Sequence, residues 1–156
     1  MTLPPDPLTA PICDDPRFFD LLTGSFARSV GRQFTDRDAA WLYHEAPFVV
    51  LAHNTDPDPR FIYANKAGQA CFEYGWDEFI ILPSRLSAEP ALQAKRLEVF
   101  ERVSRDGFIA GYSGIRIAKS GRRFRIEDAV IWRLVDEDGI HRGEAATFAR
   151  WTSVSE

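Results

Sequence analysis

The side chains that could do acid–base or metal chemistry are scattered along the chain. His44, His53 and His141 show neither HxH nor HExxH spacing, so the sequence predicts no metal site. Cys13 and Cys71 are far apart and form no CxxC pair, so we expect two reduced thiols, with Cys71 a small core residue. The chain contains no GxSxG motif and no glycine-rich loop between a strand and a helix. These residues do not favour an enzyme.

One carboxylate stands in an unusual place. Alternation along the predicted strand Arg123–Val135 places Asp128 on the same face as four apolar residues, Phe124, Ile126, Val130 and Trp132. A carboxylate among apolar neighbours must be paired, protonated or displaced by a bulge. Three interpretations stay open: a bulge, a structural ion pair, or a polar contact for a ligand. Arg85 is the natural partner for such a pair, unless it is an exposed or strand-capping arginine.

A catalytic interpretation stays open as the alternative. The acid or base would be Asp128, His53 or Glu127, in the manner of cone-shaped α+β barrels with lyase or isomerase activity. Such an enzyme needs a deep cavity in which a carboxylate and a histidine converge. A group that titrates near neutral pH in that cavity would favour it.

The composition bounds the class of protein. A chain of 156 residues with 45% hydrophobic and 27% charged residues is typical of one globular domain. Its net charge of −4 gives no electrostatic case for binding nucleic acid. No apolar run approaches ~18 residues, so we expect no membrane span. The N-terminus has neither a basic start nor an apolar stretch, so we expect a cytoplasmic protein.

Two helices are predicted ahead of the rest of the domain. Residues 1–14 are rich in proline and are predicted to form a flexible tail. Residues 15–46 are predicted to form a helical extension, in which one helix begins at Pro16 and a second runs from Thr35 to Ala46. The first helix repeats apolar residues every four positions: Phe18, Leu22, Phe26 and Val30. This apolar stripe either covers the open face of a sheet in the same chain or pairs with a second copy.

Residues 47–156 carry alternating strand and helix signals, as in an α+β domain. The strand Phe61–Ala64 is expected to turn at Asn65 into a helix, because an Asn side chain can accept from backbone N–H groups two or three residues on. That helix is predicted to stop at Gly75, and a second, Trp76–Leu82, to stop before a proline. The remaining predicted elements are a strand at Phe48–His53, a long helix from Glu89-Pro90 to about Arg105, and strands at Ile109–Ala118, Arg123–Val135 and Gly143–Thr152.

Several segments resemble one family of small sensor domains. Tyr63-Ala64-Asn65-Lys66-Ala67 and Tyr74-Gly75-Trp76-Asp77-Glu78 are similar to the second strand and first helices of PAS domains. Leu82-Pro83-Ser84-Arg85-Leu86-Ser87-Ala88 resembles the bacterial form of the MEKHLA domain, a PAS-like family. The resemblance spans about Phe48 to Trp151 and resumes in four later segments: Tyr112–Ile117, Gly121–Ile126, Ala129–Trp132 and Ala145–Trp151.

The resemblance implies an α+β, PAS-like fold: a five-stranded antiparallel sheet with helices on one face and the N-terminal helical extension beside it. In this superfamily the space between sheet and helices holds a small molecule or is filled. We expect a mostly apolar cavity there, because two short, broken helices cannot seal a sheet as tightly as one long helix. The residues predicted to line it or to lie near it and bind a ligand are Tyr63, Phe72, Trp76, Phe79, Arg85, Phe100, Ile117, Asp128 and Trp132.

The implied function is sensing or binding, with signalling through association. The expected ligand is a small apolar molecule, and no cofactor or metal is expected. Flavin photosensors of the superfamily carry an Asn-Cys-Arg motif where this chain has Pro83-Ser84-Arg85. The expected partner is a second copy of the chain or another protein. A third interpretation is a purely structural interaction module with a filled core.

Overall fold

The computed structural model describes residues 13–88 and 93–154, without the side chains of residues 93–97. The predicted start of the long helix at Glu89-Pro90, and the predicted tail up to residue 12, lie outside the described residues. The helices are α1 (Pro16–Val30), α2 (Ala39–His44), α3 (Lys66–Phe72), α4 (Trp76–Phe79), a 3₁₀ helix (Ser84–Ser87) and α5 (Gln93–Asp106). The strands are β1 (Val49–His53), β2 (Phe61–Ala64), β3 (Phe108–Ile117), β4 (Arg123–Val135), β5 (His141–Phe148) and β6 (Arg150–Ser153).

The strands form one antiparallel sheet in the order β2-β1-β5-β4-β3, with β6 paired to β4. The long strand β4 pairs with β5 over Val130–Val135 and with β6 over Phe124–Glu127. Because the chain breaks the ladder at Ala149, the predicted strand Gly143–Thr152 is divided between β5 and β6. The predicted α+β fold with an antiparallel sheet is confirmed, with its last strand in two parts.

Helix α1 covers one side of the sheet, which we call the outer face. The helix begins as predicted, with Asp15 accepting a hydrogen bond from the backbone N–H of Arg17. Its side chains Phe18, Leu22 and Phe26 are buried against the sheet. The apolar stripe is therefore covered within the chain rather than by a second copy. The buried outer-face residues of the sheet are Val50, Ala52, Ile62, Tyr63, Trp132, Leu134 and Ala145.

Polar contacts hold α1 in place on the outer face. The indole N–H of Trp132 donates to the carbonyl oxygen of Leu22 at 3.2 Å. The hydroxyl of Ser25 donates to the carbonyl oxygen of Val135 at 2.9 Å and accepts from the backbone N–H of Val135 at 2.8 Å. These donors and acceptors would otherwise be buried without partners, which costs more than the bonds gain.

The opposite side of the sheet, the inner face, is covered by α3, α4, the 3₁₀ helix and α5. Asn65 fixes the entry into α3, as the sequence predicts. Its carbonyl oxygen accepts from the backbone N–H groups of Gly68 and Val50, each at 3.0 Å, and its amide donates to the carbonyl oxygen of Phe48 at 2.9 Å. The buried side chain thus caps the helix and ties it to β1. The buried inner-face residues of the sheet include Val49, Leu51, Phe61, Ala64, Phe124, Ile126, Ala129, Ile131 and Phe148.

A bulge in β4 decides which side chains face which side. Asp128 has a φ of 54°, and the pairing of β4 with β3 shifts by one residue between Ile126 and Ala129. Ile126 therefore lies on the inner face, whereas Trp132 and Val130 pack toward α1. The prediction that these residues share one face is wrong beyond the bulge, because an extra residue reverses the alternation. Of the interpretations left open for Asp128, the structure shows the bulge.

Several helix boundaries differ from the predictions, and α4, for example, ends at Phe79 instead of Leu82. Helix α2 is capped by Asp38, which accepts from the N–H of Trp41 at 2.9 Å, rather than by Thr35. Helix α3 ends at Phe72, and the next residue, Glu73, takes the left-handed conformation with a φ of 66°. These shifts are of a few residues, as expected for short helices whose ends are set by tertiary contacts.

Candidate functional site

A cavity of about 50 Å³ lies between the inner face and the helices that cover it. Its volume is enough for a few water-sized groups. Most residues that line the cavity are apolar, and the four polar ones are His53, Ser87, Arg116 and Glu144. An enclosed apolar space with a few polar groups is the usual character of a small-molecule site. Its main apolar side chains are Leu51, Phe61, Phe72, Phe100, Ile131 and Phe148.

The cavity exists because a small residue occupies the centre of the sheet. Ala146 of β5 pairs with Leu51 of β1 on one side and with Ile131 of β4 on the other. All three side chains point to the inner face, but the methyl group of Ala146 is much shorter than its neighbours. The resulting depression faces Phe72 and Phe100 from the covering helices.

A buried carboxylate and an imidazole meet at one end of the cavity. His53 and Glu144 pair directly across β1 and β5, with Nδ1 of His53 3.5 Å from Oε2 of Glu144. Their side chains are only 8% and 11% exposed. Nδ1 of His53 also lies 3.0 Å from the carbonyl oxygen of Asn54, which can only accept, so this nitrogen carries the proton. The ring of Phe100 lies edge-on to the imidazole, with centroids 5.0 Å apart.

A second histidine engages the same carboxylate. Nε2 of His141 lies 2.9 Å from Oε1 of Glu144, three residues along the same strand. Glu144 is therefore held between two imidazoles, one buried and one partly exposed. A carboxylate placed in this way fixes the orientation of both imidazole rings.

A different polar pair lines the cavity from the β3 side. The guanidinium of Arg116 donates through Nη2 to the hydroxyl of Tyr112 at 3.1 Å and through Nη1 to the carbonyl oxygen of Ile115 at 2.9 Å. Between them in sequence lies Gly114, where an added Cβ would collide with the Tyr112 hydroxyl. The glycine thus leaves the space in which the tyrosine and the arginine meet.

Two of the nine residues predicted to bind a ligand line the cavity, namely Phe72 and Phe100. Phe79 is buried next to them, with its ring centroid 5.8 Å from that of Phe72. Ile117 lies at the end of β3, paired with Arg123, and is not in the described lining.

Three of the predicted aromatic residues lie on the other side of the sheet. Tyr63 stacks on Phe18 of α1 at a centroid distance of 4.8 Å, and Trp132 meets Phe26 of α1 at 4.9 Å. Trp76 packs near Tyr63 at the edge of this outer cluster, at 6.1 Å. Their expected position in the cavity is therefore wrong. The bulge in β4 turns Trp132 outward, and Tyr63 of β2 pairs with the outer-face residue Ala52. Trp76 belongs to helix α4 and packs at the edge of the sheet.

The two predicted polar residues also lie away from the cavity. Arg85 makes an ion pair with Asp58 at 3.1 Å and not with Asp128. Asp128 is 70% exposed, with its carboxylate 3.8 Å from Arg150. The expected place of Asp128 at the cavity is wrong, because the bulge that contains it points its side chain to solvent.

The sequence interpretation named His53 only as an alternative acid or base, and it missed Glu144, Arg116 and Ala146. These residues meet through strand pairing between distant parts of the chain, which no local pattern reveals. One local signal existed, since His141 lies three residues before Glu144, just ahead of and inside the predicted strand Gly143–Thr152 respectively.

Cys71 is a buried core residue, as predicted, and burial raises the pKa of its thiol to about 12. Burial likewise raises the pKa of the Tyr63 phenol well above its usual range.

Within residues 13–88 and 93–154, no group of three or more His, Cys, Asp or Glu side chains is arranged to hold a metal ion. The same part of the chain has no helix that is both long and apolar enough to cross a membrane.

Comparison with solved structures defines the fold as that of PAS domains. A PAS domain from Colwellia psychrerythraea is 16% identical, with a TM-score of 0.62, covering 74% of this chain and 92% of that chain. A PAS domain from a two-component sensor histidine kinase is 18% identical, with a TM-score of 0.57 and coverage of 74% and 93%. A light-oxygen-voltage domain studied with a flavin analogue is 19% identical, with a TM-score of 0.54 and coverage of 69% and 78%.

The family is narrower than the fold. The sequence profile of the MEKHLA domain matches residues 16–153, so the chain belongs to the MEKHLA domain family. The match begins at the first residue of α1 and therefore includes both N-terminal helices. No curated protein sequence matches the chain.

Proposed function

We propose that this chain is a sensory module that binds a small, mainly apolar molecule in the cavity of the inner face. The observation that carries the proposal is the cavity itself: a mainly apolar space of about 50 Å³ with the buried His53–Glu144 pair at one end. A well-packed protein interior has few voids larger than one water molecule. The PAS fold and membership of the MEKHLA family support a sensory role.

The cavity size limits the ligand. A molecule of a few non-hydrogen atoms fits the space as it stands, whereas a larger one requires α5 or the 3₁₀ helix to move outward. Phe100 of α5 and Ser87 of the 3₁₀ helix both line the space. Occupancy by a larger ligand would therefore change the position of these helices against the sheet.

The proposal includes signalling by association with a partner, and the attachment of the sheet to α1 supports it. Strand β4 is hydrogen-bonded to α1 through Trp132 and Val135. It pairs with strand β5, whose residues Glu144 and Ala146 line the cavity. A change in the sheet at the cavity can thus reach the outer helix through two adjacent strands. The partner that we propose is a second copy of this chain or another protein. The oligomeric state in solution tests whether a second copy binds.

Native mass spectrometry of freshly purified protein tests the proposal. We expect the wild-type protein to carry or take up a small molecule, and Ala146→Leu to lose it, because leucine fills the depression. Ala149→Leu is the matched control, since this alanine lies three residues along the chain and is exposed. If wild type and Ala146→Leu show the same mass and the same thermal response to a panel of small molecules, the cavity is not a binding site.

Acid–base catalysis is a second candidate, favoured by the contact between His53 and Glu144. A carboxylate beside an imidazole in an apolar cavity is a common arrangement for a general base. NMR titration of the imidazole tests it: His53 would titrate near neutral pH, and Glu144→Gln would lower the midpoint by removing the negative charge. A His53 that keeps one protonation state from pH 5 to pH 9 contradicts catalysis but leaves the sensory proposal intact.

A further inference from the structure

The guanidinium of Arg116 lines an otherwise apolar part of the cavity. Its hydrogen bonds go to a neutral hydroxyl on Tyr112 and to the backbone carbonyl of Ile115. Within the part of the chain that the structure describes, Arg116 makes no ion pair with a carboxylate. The other cavity charge, Glu144, is already engaged by two histidines.

A partly buried cation without an anion is unusual. Removing a guanidinium from water is costly unless an opposite charge or several hydrogen bonds compensate it. Arginine at the surface of a protein usually turns its head group to solvent, whereas Arg116 turns back along β3 to reach Tyr112, four residues away. Besides its two hydrogen bonds, the guanidinium lies over the Tyr112 ring at 5.6 Å, and an anionic group in the cavity would compensate its charge further.

The geometry also suits a particular anion. Nη1 and Nη2 of Arg116 each donate once, and the planar guanidinium has five N–H groups, so further donors remain for a second acceptor. The hydroxyl of Tyr112 accepts from Arg116 and keeps its own O–H for donation. Two adjacent donors on one side of a small apolar cavity match the two oxygens of a carboxylate.

We infer that the cavity binds a small carboxylic acid as its anion, with the carboxylate on Arg116 and Tyr112 and the apolar part of the molecule over Ala146. The inference rests on the proposed function and names the chemical class of its ligand. A phosphate or sulfate fits less well, because it carries more oxygens than one arginine and one hydroxyl can satisfy. Glu144 on β5 lies two strands from β3, and His53 on β1 lies three strands from it, so this end would meet the far end of a longer acid.

The experiment compares butyrate with butyramide, which has nearly the same shape and no charge. Binding is followed by isothermal calorimetry and by the melting temperature of the full chain. We expect butyrate to bind at least about ten-fold more tightly than butyramide, because a charge-assisted bidentate contact is lost in the amide. The preference for butyrate should decrease as the salt concentration is raised, because salt screens the charge of the partly buried Arg116.

Two variants test whether Arg116 and Tyr112 cause the preference for butyrate over butyramide. Arg116→Gln should bind both probes equally, and Tyr112→Phe should weaken butyrate by a smaller factor while keeping the ring. Arg125→Gln is the matched control: it removes the same charge from an exposed residue on the neighbouring strand β4 and should leave the butyrate preference unchanged. Far-UV circular dichroism of each variant checks that the fold is retained.

The outcomes separate the inference from the proposed function. Equal binding of both probes, or tighter binding of butyramide, overturns the carboxylate and leaves the cavity as a ligand site. A neutral molecule carried by the purified protein overturns the carboxylate in the same way. If neither probe binds, and native mass spectrometry finds no ligand in wild type, the inference and the proposed function both fail. A butyrate preference that survives Arg116→Gln overturns the assignment to this arginine.

Discussion

The two faces of the sheet differ in what covers them. The outer face meets α1, a helix of 15 residues whose aromatic side chains interlock with those of the strands. Trp132, Phe26 and Phe34 form a cluster with ring centroids 4.9 to 5.7 Å apart. The inner face meets α3 of 7 residues, α4 of 4 residues, a 3₁₀ turn of 4 residues and α5. The cavity described above lies on the inner face.

The difference is one of packing between the helices and the sheet. A continuous amphipathic helix presents side chains at regular spacing and fills the grooves of a sheet. Several short helices with breaks between them present their side chains at irregular spacing, and the small Ala146 beneath them leaves space unfilled. The outer face should therefore tolerate no change in volume, whereas the inner face should accept added volume inside its cavity.

The largest effect should come from removing the cover of the outer face. A variant that starts at Pro47 loses α1 and α2 and exposes the outer-face aromatics, including Trp132 and Tyr63. We expect it to aggregate or to lose cooperative thermal unfolding, because the exposed apolar patch is continuous. Size-exclusion chromatography and circular dichroism measure both. A soluble, monomeric variant with the melting temperature of the full chain would show that the helices are dispensable.

A graded version keeps that prediction informative if the truncated protein cannot be purified. Phe26→Ala in the full chain removes one fully buried ring from α1. We expect a loss of about 3–5 kcal/mol in the free energy of unfolding, as for other buried Phe residues. A loss below about 1 kcal/mol would contradict close packing on the outer face, because it would mean that neighbouring side chains move into the space left by the ring.

Two neighbouring alanines allow a direct comparison of the faces. Ala145 is buried in the outer cluster, and Ala146 lies beneath the inner cavity. We expect Ala145→Leu to destabilise the protein by about 1–3 kcal/mol through overpacking. Ala146→Leu should be neutral or stabilising, because its added methyl groups enter existing space. Urea unfolding of the two variants measures the difference, and equal losses would mean that the two faces are equally well packed.

Local rules predicted the elements that depend on neighbours in sequence. The cap at Asp15, the apolar stripe of α1 and the turn at Asn65 follow from residue type and spacing alone. Asp128 shows where such rules fail. A single residue in the left-handed conformation, which Asp tolerates better than most residues, reversed the alternation and moved Trp132 to the outer face.

The candidate site was less predictable than the fold because it depends on register. His53 and Glu144 meet only because β1 pairs with β5, and Arg116 reaches the cavity from the far edge of the sheet. The aromatic residues of the chain were numerous enough to suggest a cavity. Their type alone did not tell which of them, such as Phe100, would line it and which, such as Tyr63, would seal the other face.

A smaller effect is expected at the end of α5, which covers the inner face. Gly107 has a φ of 90°, and its N–H donates to the carbonyl oxygen of Val103 at 2.7 Å, as the predicted helix cap requires. Gly107→Ala should cost about 1 kcal/mol, because a Cβ is strained in this conformation. Gly107→Asn is the matched variant and should cost less, since Asn enters the left-handed region more readily. Equal melting temperatures for wild type and Gly107→Ala would contradict this cap.

The last prediction concerns how readily a reagent in solution reaches the two thiols, and not the stability of the fold. Cys13 is partly exposed at the border of the outer cluster, whereas Cys71 is buried in the inner-face core. Burial raises the pKa of Cys71 to about 12. Only the thiolate reacts with an aromatic disulfide reagent, and at pH 8 about one Cys71 in ten thousand would be ionised. We expect Cys13 to react in the folded protein and Cys71 to react only after denaturation. In Cys13→Ser the folded protein should then release no reagent chromophore at pH 8, and the denatured protein one equivalent. Rapid reaction of Cys71 in that folded variant would show that the inner face opens to solvent despite its covering helices.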